Sequence, residues 1–113
     1  MTALVDRKCV PCGKEAKPVA PERVRALLKE IPGWTLQEGR LRRDLVLKDF
    51  AEAIRLVCAI AAVAEAEDHH PDLHLTGYRR LVIELYTHSI GDLSENDFVL
   101  AAKLEALPRE LKK

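Results

Sequence analysis

Two adjacent histidines, His69 and His70, are the residues of this sequence best suited to chemistry. Three carboxylates lie within the four residues before them, and Pro71 follows directly. Proline disfavours helical geometry at the residue before it, so the pair is predicted to end a helix. The helix dipole favours a cationic side chain there, and histidine changes charge near neutral pH. The pattern therefore predicts groups that both donate and accept protons at pH 7.

A third imidazole, that of His88, follows Thr87 and precedes Asp97. If the fold brings it to the histidine pair, the set would suit acid–base catalysis on a small molecule. Glu65 lies four residues before His69 and is expected on the same helix face, where its carboxylate could orient that imidazole.

Each of these residues also has an ordinary structural explanation. Histidines at a helix C-terminus can bond to the terminal carbonyl groups in solvent, and His88 could be half-buried and bonded to backbone. Helix capping would account for Asp97 completely. His74 is expected to be exposed and without a partner.

A metal site is the alternative chemistry. His69, His70 and His88, together with Glu65 or Asp68, could form a three-histidine zinc site. Adjacent side chains on a helix diverge by about one hundred degrees, so their rings seldom reach one ion. The metal interpretation is therefore the weaker one, and no metal is expected.

Length and composition are typical of one compact domain. The chain has 113 residues, of which 48% are hydrophobic, and this is enough for a single core. The 18 basic and 18 acidic side chains cancel, which argues against attraction to nucleic acid or an anionic membrane. No apolar run reaches the length of a transmembrane helix, and the N-terminus has no apolar signal region. We therefore expect a cytosolic (cytoplasmic) protein without nucleic-acid or membrane partners.

The three cysteines cannot all pair within one chain, which fits a reducing compartment. Cys58 lies in an apolar helical pattern and is expected to be a core residue. Cys9 and Cys12 could supply half of a zinc site, but the sequence has no second Cys-x-x-Cys pair to complete it. They are predicted to have no chemistry, and residues 1–18 to be dispensable for fold and activity.

Turn residues and hydrophobic spacing divide the chain into elements. Residues 1–20 are predicted to be an extended N-terminal lead-in, and residues 21–113 a single domain. A first helix is predicted to start at Pro21 and to end before Gly33. A hairpin of two strands follows, with its turn near Gly39.

The second half of the chain has two helix start signals. Asp49 is predicted to cap a long helix, with Glu52 completing a capping box, and two strands then flank Gly77. Ser94 is predicted to cap the last helix, with Asp97 three residues further on. The order of helix, two strands, helix, two strands, helix predicts an α+β fold with helices on one face of an antiparallel sheet.

The long helix is apolar over an unusually broad surface, residues 50–66, and one small chain has few elements to cover it. The edges of the sheet could also pair with those of a second copy. We therefore expect an obligate homo-oligomer.

The order and spacing of these motifs resemble pterin-4a-carbinolamine dehydratase. The motifs that carry the resemblance are Glu65-x-x-Asp68-His69-His70-Pro71, Thr87-His88 and Gly91-x-Leu93-Ser94-Glu95-Asn96-Asp97. The likeness extends from about Pro21 to the C-terminus and includes Gly33-Trp34 and Lys48-Asp49-Phe50.

The resemblance implies a four-stranded antiparallel sheet with three helices on one face, assembled as a homodimer or homotetramer. It implies 4a-hydroxytetrahydrobiopterin dehydratase activity, which removes water from the 4a-hydroxytetrahydropterin released by aromatic amino-acid hydroxylases to give quinonoid dihydropterin. It implies no metal or organic cofactor. The implied active site consists of the catalytic His69, His70 and His88 and the substrate-binding Glu65, Asp68, Pro71, Thr87, Ser89 and Asp97.

Two other functions are compatible with the resemblance. One is a non-enzymatic pterin-binding, dimerisation or coactivator module, although the neutral charge argues against direct contact of such a module with DNA. The other is a pterin-handling protein of a folate or molybdopterin route.

Overall fold

An antiparallel sheet and three α-helices form the described part of the chain, residues 3–9 and 17–113 of a computed structural model. The elements in chain order are α1 Pro21–Leu28, β1 Thr35–Gln37, β2 Arg40–Val46, α2 Phe50–Glu67, β3 Asp72–Thr76, β4 Arg80–Leu85 and α3 Glu95–Glu105. Short 3₁₀ turns lie at Leu4–Asp6 and His88–Ile90. The predicted α+β class and element order are confirmed.

The four strands lie in the order β1-β2-β4-β3, and each neighbouring pair is antiparallel. Strands β2 and β4 form the centre of the sheet, where Leu41 lies opposite Leu85 and Leu45 opposite Leu81. These leucines are buried and share one sheet face, because side chains alternate along a strand. They belong to one hydrophobic cluster with residues of all three helices, so the helices cover this face.

The long helix α2 begins as predicted but ends earlier. The side chain of Asp49 accepts a hydrogen bond from the backbone N–H of Glu52 at 2.8 Å, whereas the carboxylate of Glu52 bonds to Arg55 instead of completing the capping box. The helix ends at Glu67, since Asp68 adopts a left-handed conformation with φ 52°. The chain therefore turns before His69, and the histidine pair lies beyond the helix.

The cap of α3 agrees with the prediction. The Ser94 side chain accepts from the backbone of Asp97, and the Asp97 carboxylate accepts from the Ser94 N–H. This reciprocal capping box satisfies donors that a helix start otherwise leaves unpaired.

The N-terminal segment is partly packed rather than a simple extended lead-in. Leu4 is 3% exposed and belongs to the hydrophobic cluster, and the N–H of Cys9 donates to Glu67 Oε1 at 2.8 Å. The expectation that residues 1–18 are dispensable for the fold disagrees with this packing, because their removal would open the core at Leu4. Cys12 lies outside the described residues.

Cys58 is exposed on α2, so its expected place in the core was wrong. The apolar pattern of α2 is wider than the face that the sheet covers, and Cys58 lies on the outer part. No helix of the described residues is long and apolar enough to cross a membrane.

Candidate active site

His69 is a buried imidazole held by a buried carboxylate. Its Nε2 lies 2.6 Å from Oδ1 of Asp97, and the two side chains are 5% and 0% exposed. A carboxylate can only accept, so Nε2–H is the donor. The prediction that Glu65 orients His69 is wrong, because the turn at Asp68 directs His69 away from the face of α2 that carries Glu65.

Asp97 also joins the end of β4 to the start of α3. Its Oδ2 accepts hydrogen bonds from Thr87 Oγ1 at 2.8 Å and from the Ser94 N–H at 2.9 Å. The hydroxyls of Thr87 and Ser94 lie 2.8 Å apart. One oxygen of Asp97 therefore caps α3, and the other binds His69. The expectation that capping accounts for Asp97 completely was incomplete. A fully bonded buried network of this kind fixes the orientation of its members.

His70 points to solvent and has a different carboxylate partner. Its Nε2 lies 2.5 Å from Oε2 of Glu65, and both side chains are more than half exposed. Glu65 thus orients the second histidine of the pair instead of the first.

His88 begins the 3₁₀ turn after β4 and is also exposed. Its ring contacts the ring of Tyr86, with centroids 5.1 Å apart and planes at 77°. Tyr86 was absent from the predicted site. Its spacing from His88 could have indicated it, since Tyr86 lies two residues before His88 and residues two apart along a strand lie on the same face.

A cavity of about 220 Å³ brings the three histidines together. Its lining consists of Asp68, His69, His70, Tyr86, Thr87, His88 and Ser89. Glu65 and Asp97 reach it through the imidazoles that they bind, and Pro71, half-buried, follows His70 directly. The predicted convergence of His88 with the histidine pair is therefore present.

A larger cavity, of about 440 Å³, lies around the N-terminus of α3 and includes Arg7, Lys17, Arg23 and Glu95 in its lining. The described part of its lining contains no histidine. We place the candidate site at the smaller cavity, because imidazoles are the groups that exchange protons at neutral pH.

His74 lies apart from this site, on β3. Its Nε2 is 2.9 Å from Oε1 of Glu84 on the neighbouring strand β4, so the expectation of no partner was wrong. Within residues 3–9 and 17–113, no group of three or more His, Cys, Asp or Glu side chains is placed to hold a metal ion.

The arrangement can move protons at one small cavity. His69 is fixed by its buried carboxylate, and His70 is bonded to a carboxylate at the surface. His88 lines the same cavity from the turn after β4. A neutral imidazole accepts a proton and an imidazolium donates one, so an adjacent pair can do both in one reaction.

Several known proteins with similar sequences carry the name of the same dehydratase. The family model described as Pterin 4 alpha carbinolamine dehydratase matches residues 17–107. The mitochondrial pterin-4-alpha-carbinolamine dehydratase 2 of Arabidopsis thaliana is 40% identical over 95% of this chain and 60% of its own length. A Dechloromonas aromatica protein that carries the name of the same dehydratase is 44% identical over 92% of each chain.

Solved structures share the fold. A transcriptional coactivator/pterin dehydratase from Brucella melitensis superposes with a TM-score of 0.74 at 28% identity, over 80% of this chain and 97% of its own. A pterin dehydratase-like protein described as a RuBisCO assembly factor in the alpha-carboxysome has a TM-score of 0.55 at 23% identity, over 66% and 87% of the two chains. The second likeness concerns the fold alone.

Proposed function

Because this chain belongs to the pterin-4-alpha-carbinolamine dehydratase family, we propose that it removes water from a 4a-hydroxytetrahydropterin to give a quinonoid dihydropterin. The observation that carries the proposal is the cavity shared by His69, His70 and His88. We take the tetrahydrobiopterin derivative as the substrate and pterin recycling for aromatic amino-acid hydroxylases as the role.

The reaction requires two proton transfers. The C4a–O bond breaks as a proton is delivered to the leaving hydroxyl, and water departs. The N5–H proton goes to a base as the N5=C4a double bond forms. An imidazolium serves as the acid and a neutral imidazole as the base.

The supporting residues divide into those on the cavity wall and those behind it. Asp68 and Ser89 carry polar groups on the wall and are proposed to bind the pterin, with Pro71 beside them. The Thr87 side chain is buried and bonded to Asp97, so we propose that it positions Asp97. Glu65 and Asp97 in turn hold His70 and His69.

His70→Ala and His88→Ala should each lower the dehydration rate about a hundredfold, the usual effect of a positioned proton donor or acceptor. The rate is measured with purified protein on chemically generated 4a-hydroxytetrahydropterin, and circular dichroism checks that each variant is folded.

His74→Ala is the matched control, because His74 is also an exposed imidazole bonded to a carboxylate but lies outside the cavity. It should keep the wild-type rate. Wild-type rates in both His70→Ala and His88→Ala, with their folds intact, would reject the histidine mechanism.

A coactivator or dimerisation role is the second candidate, favoured by the name of the Brucella melitensis relative. A folded protein that binds pterin but does not accelerate dehydration would favour this candidate. If the protein turns over only a pterin of a folate or molybdopterin route, its physiological role would instead lie in that route.

We also propose a homo-oligomer in the cytoplasm whose partner is the small pterin substrate, without nucleic-acid or membrane partners. The neutral charge of the chain supports the absence of nucleic-acid binding.

A further inference from the structure

His88 differs from the other two histidines of the cavity in how its ring is held. His69 and His70 are each bonded to a carboxylate. Among the residues that the structure describes, the His88 imidazole makes no such bond, and its ring packs against the ring of Tyr86. An exposed side chain held by few contacts samples several rotamers, so Tyr86 is the group that can limit its motion.

The Tyr86 ring is in turn contacted by a side chain of the neighbouring strand β2. The guanidinium carbon of Arg40 lies 4.5 Å from the centroid of the Tyr86 ring. An Arg over a ring at this distance is attracted by the negative face of the π system. Arg40 Nη1 lies 3.3 Å from Asp72 Oδ2, so Arg40 is held between a carboxylate and an aromatic ring.

The sheet topology explains why these groups meet. Arg40 is the first residue of β2 and Asp72 the first of β3, while Tyr86 directly follows β4. Because β2 and β3 flank β4 and both run antiparallel to it, their starts lie beside its C-terminal end. The chain of contacts Asp72, Arg40, Tyr86, His88 thus crosses three strands and ends in the cavity.

We propose that Tyr86 is the positioning residue for His88 and that Arg40, tethered by Asp72, holds the Tyr86 ring in place. The edge-to-face contact at 77° is a favoured aromatic geometry, so it selects one orientation of the imidazole. The proposal rests on the proposed dehydratase function, in which His88 transfers a proton and its placement limits the rate.

The test compares Tyr86→Phe, which keeps the ring and removes the hydroxyl, with Tyr86→Leu, which removes the ring. In Tyr86→Leu we expect kcat for dehydration to fall by about tenfold to a hundredfold, the order of loss expected for a misplaced catalytic group. KM should stay within about twofold, since Tyr86 acts through His88. Tyr86→Phe should restore most of the kcat that Tyr86→Leu loses, because it keeps the aromatic ring against His88.

A measurement without substrate tests the geometry directly. In histidine-labelled protein, the ring-current shift that Tyr86 imposes on the His88 imidazole protons should be present in wild type and Tyr86→Phe and lost in Tyr86→Leu. Arg40→Ala should reduce both this shift and kcat, whereas Arg42→Ala, on the same strand, should leave both unchanged.

Two outcomes would overturn the proposal. The first is an unaltered His88 signal in Tyr86→Leu, which would show that the aromatic ring does not hold His88. The second is a lost shift with unchanged kcat in an active, folded Tyr86→Leu protein. An inactive wild-type protein would instead reject the dehydratase function, and the shift measurement would still decide whether Tyr86 orients His88.

Discussion

At the scale of single residues, Asp97 has a different role for each of its two carboxylate oxygens. One oxygen accepts from His69 and the other from the Thr87 hydroxyl and the Ser94 N–H. The carboxylate is fully buried, so each contact is made at low effective dielectric, where an unpaired group is costly. The cavity of the three histidines and the start of α3 therefore both depend on Asp97.

Asp97→Asn keeps the shape of the side chain but replaces one acceptor oxygen by an NH₂ donor. At least one of the three bonds is then lost or must reverse its donor, because all three partners donate to the carboxylate. We expect a loss of about 1–3 kcal/mol in unfolding free energy and a fall in kcat of roughly tenfold or more. Urea denaturation and the dehydration assay measure these effects.

Asp44→Asn is the control for charge loss, since Asp44 is paired with Arg80 on exposed strand positions outside the cavity. It should change unfolding free energy by less than about 1 kcal/mol and leave kcat unaltered. An Asp97→Asn protein as active as wild type would show that His69 needs no carboxylate.

At the scale of elements, Glu52 binds the C-terminal segment of the chain to the helix α2. Its carboxylate bonds to the Arg55 guanidinium and accepts from the backbone N–H of Glu110 at 2.7 Å. The same segment continues with hydrogen bonds from Lys48 N–H to Glu110 O and from Lys112 N–H to Val46 O. Residues 110–112 thus extend the sheet beyond the end of β2.

The Arg55 guanidinium and then the Glu110 N–H lower the pKa of Glu52 from 4.5 to about 2. A carboxyl whose pKa is depressed by folding stabilises the protein fully above its unfolded value, and this contribution is lost as pH falls towards the folded value. Glu52→Gln should therefore be less stable than wild type above about pH 5, and the difference should vanish as pH falls towards 2. Urea denaturation across this range measures it.

Glu30→Gln is the matched control, because Glu30 is an exposed carboxylate with no ion pair among the described residues. Its stability relative to wild type should vary little over the same range. A pH-independent difference between Glu52→Gln and wild type would contradict the role of the Glu52 charge.

At the scale of the whole molecule, one chain leaves apolar surface uncovered. Phe50 and Ile54 of α2 are 52% and 39% exposed, and Cys58 and Ala61 continue this surface. These four residues are spaced three or four apart, so they form one outward stripe along the helix. A contiguous apolar stripe of this kind is typical of a protein interface.

We expect the protein to be a homo-oligomer at micromolar concentration, with a melting temperature that rises with protein concentration. Ile54→Glu places a charge in the stripe and should lower the mass measured by light scattering. Tyr78→Asp changes an exposed aromatic residue in the turn between β3 and β4 and should not. A monomeric wild-type protein with a concentration-independent melt would exclude the oligomer.

The sequence by itself determined the features that depend on near neighbours. Asp49 and Ser94 could be identified as caps because their partners lie three residues away. The alternation of β4 predicted its buried face, and hydrophobic periodicity predicted the element order. The adjacent histidines favoured proton-transfer chemistry, because residue type and local spacing carry that signal, and this stays a prediction.

The tertiary structure decided which groups meet across the fold. His69 and Asp97 are 28 residues apart in the chain, and Arg40 reaches Tyr86 from another strand, so no local pattern could reveal either pair. Because of the left-handed turn at Asp68, Glu65 bonds to His70 and not to His69, which was its expected partner. A single backbone conformation rotates every side chain after it, so the assignment of partners in the site depended on where α2 ends.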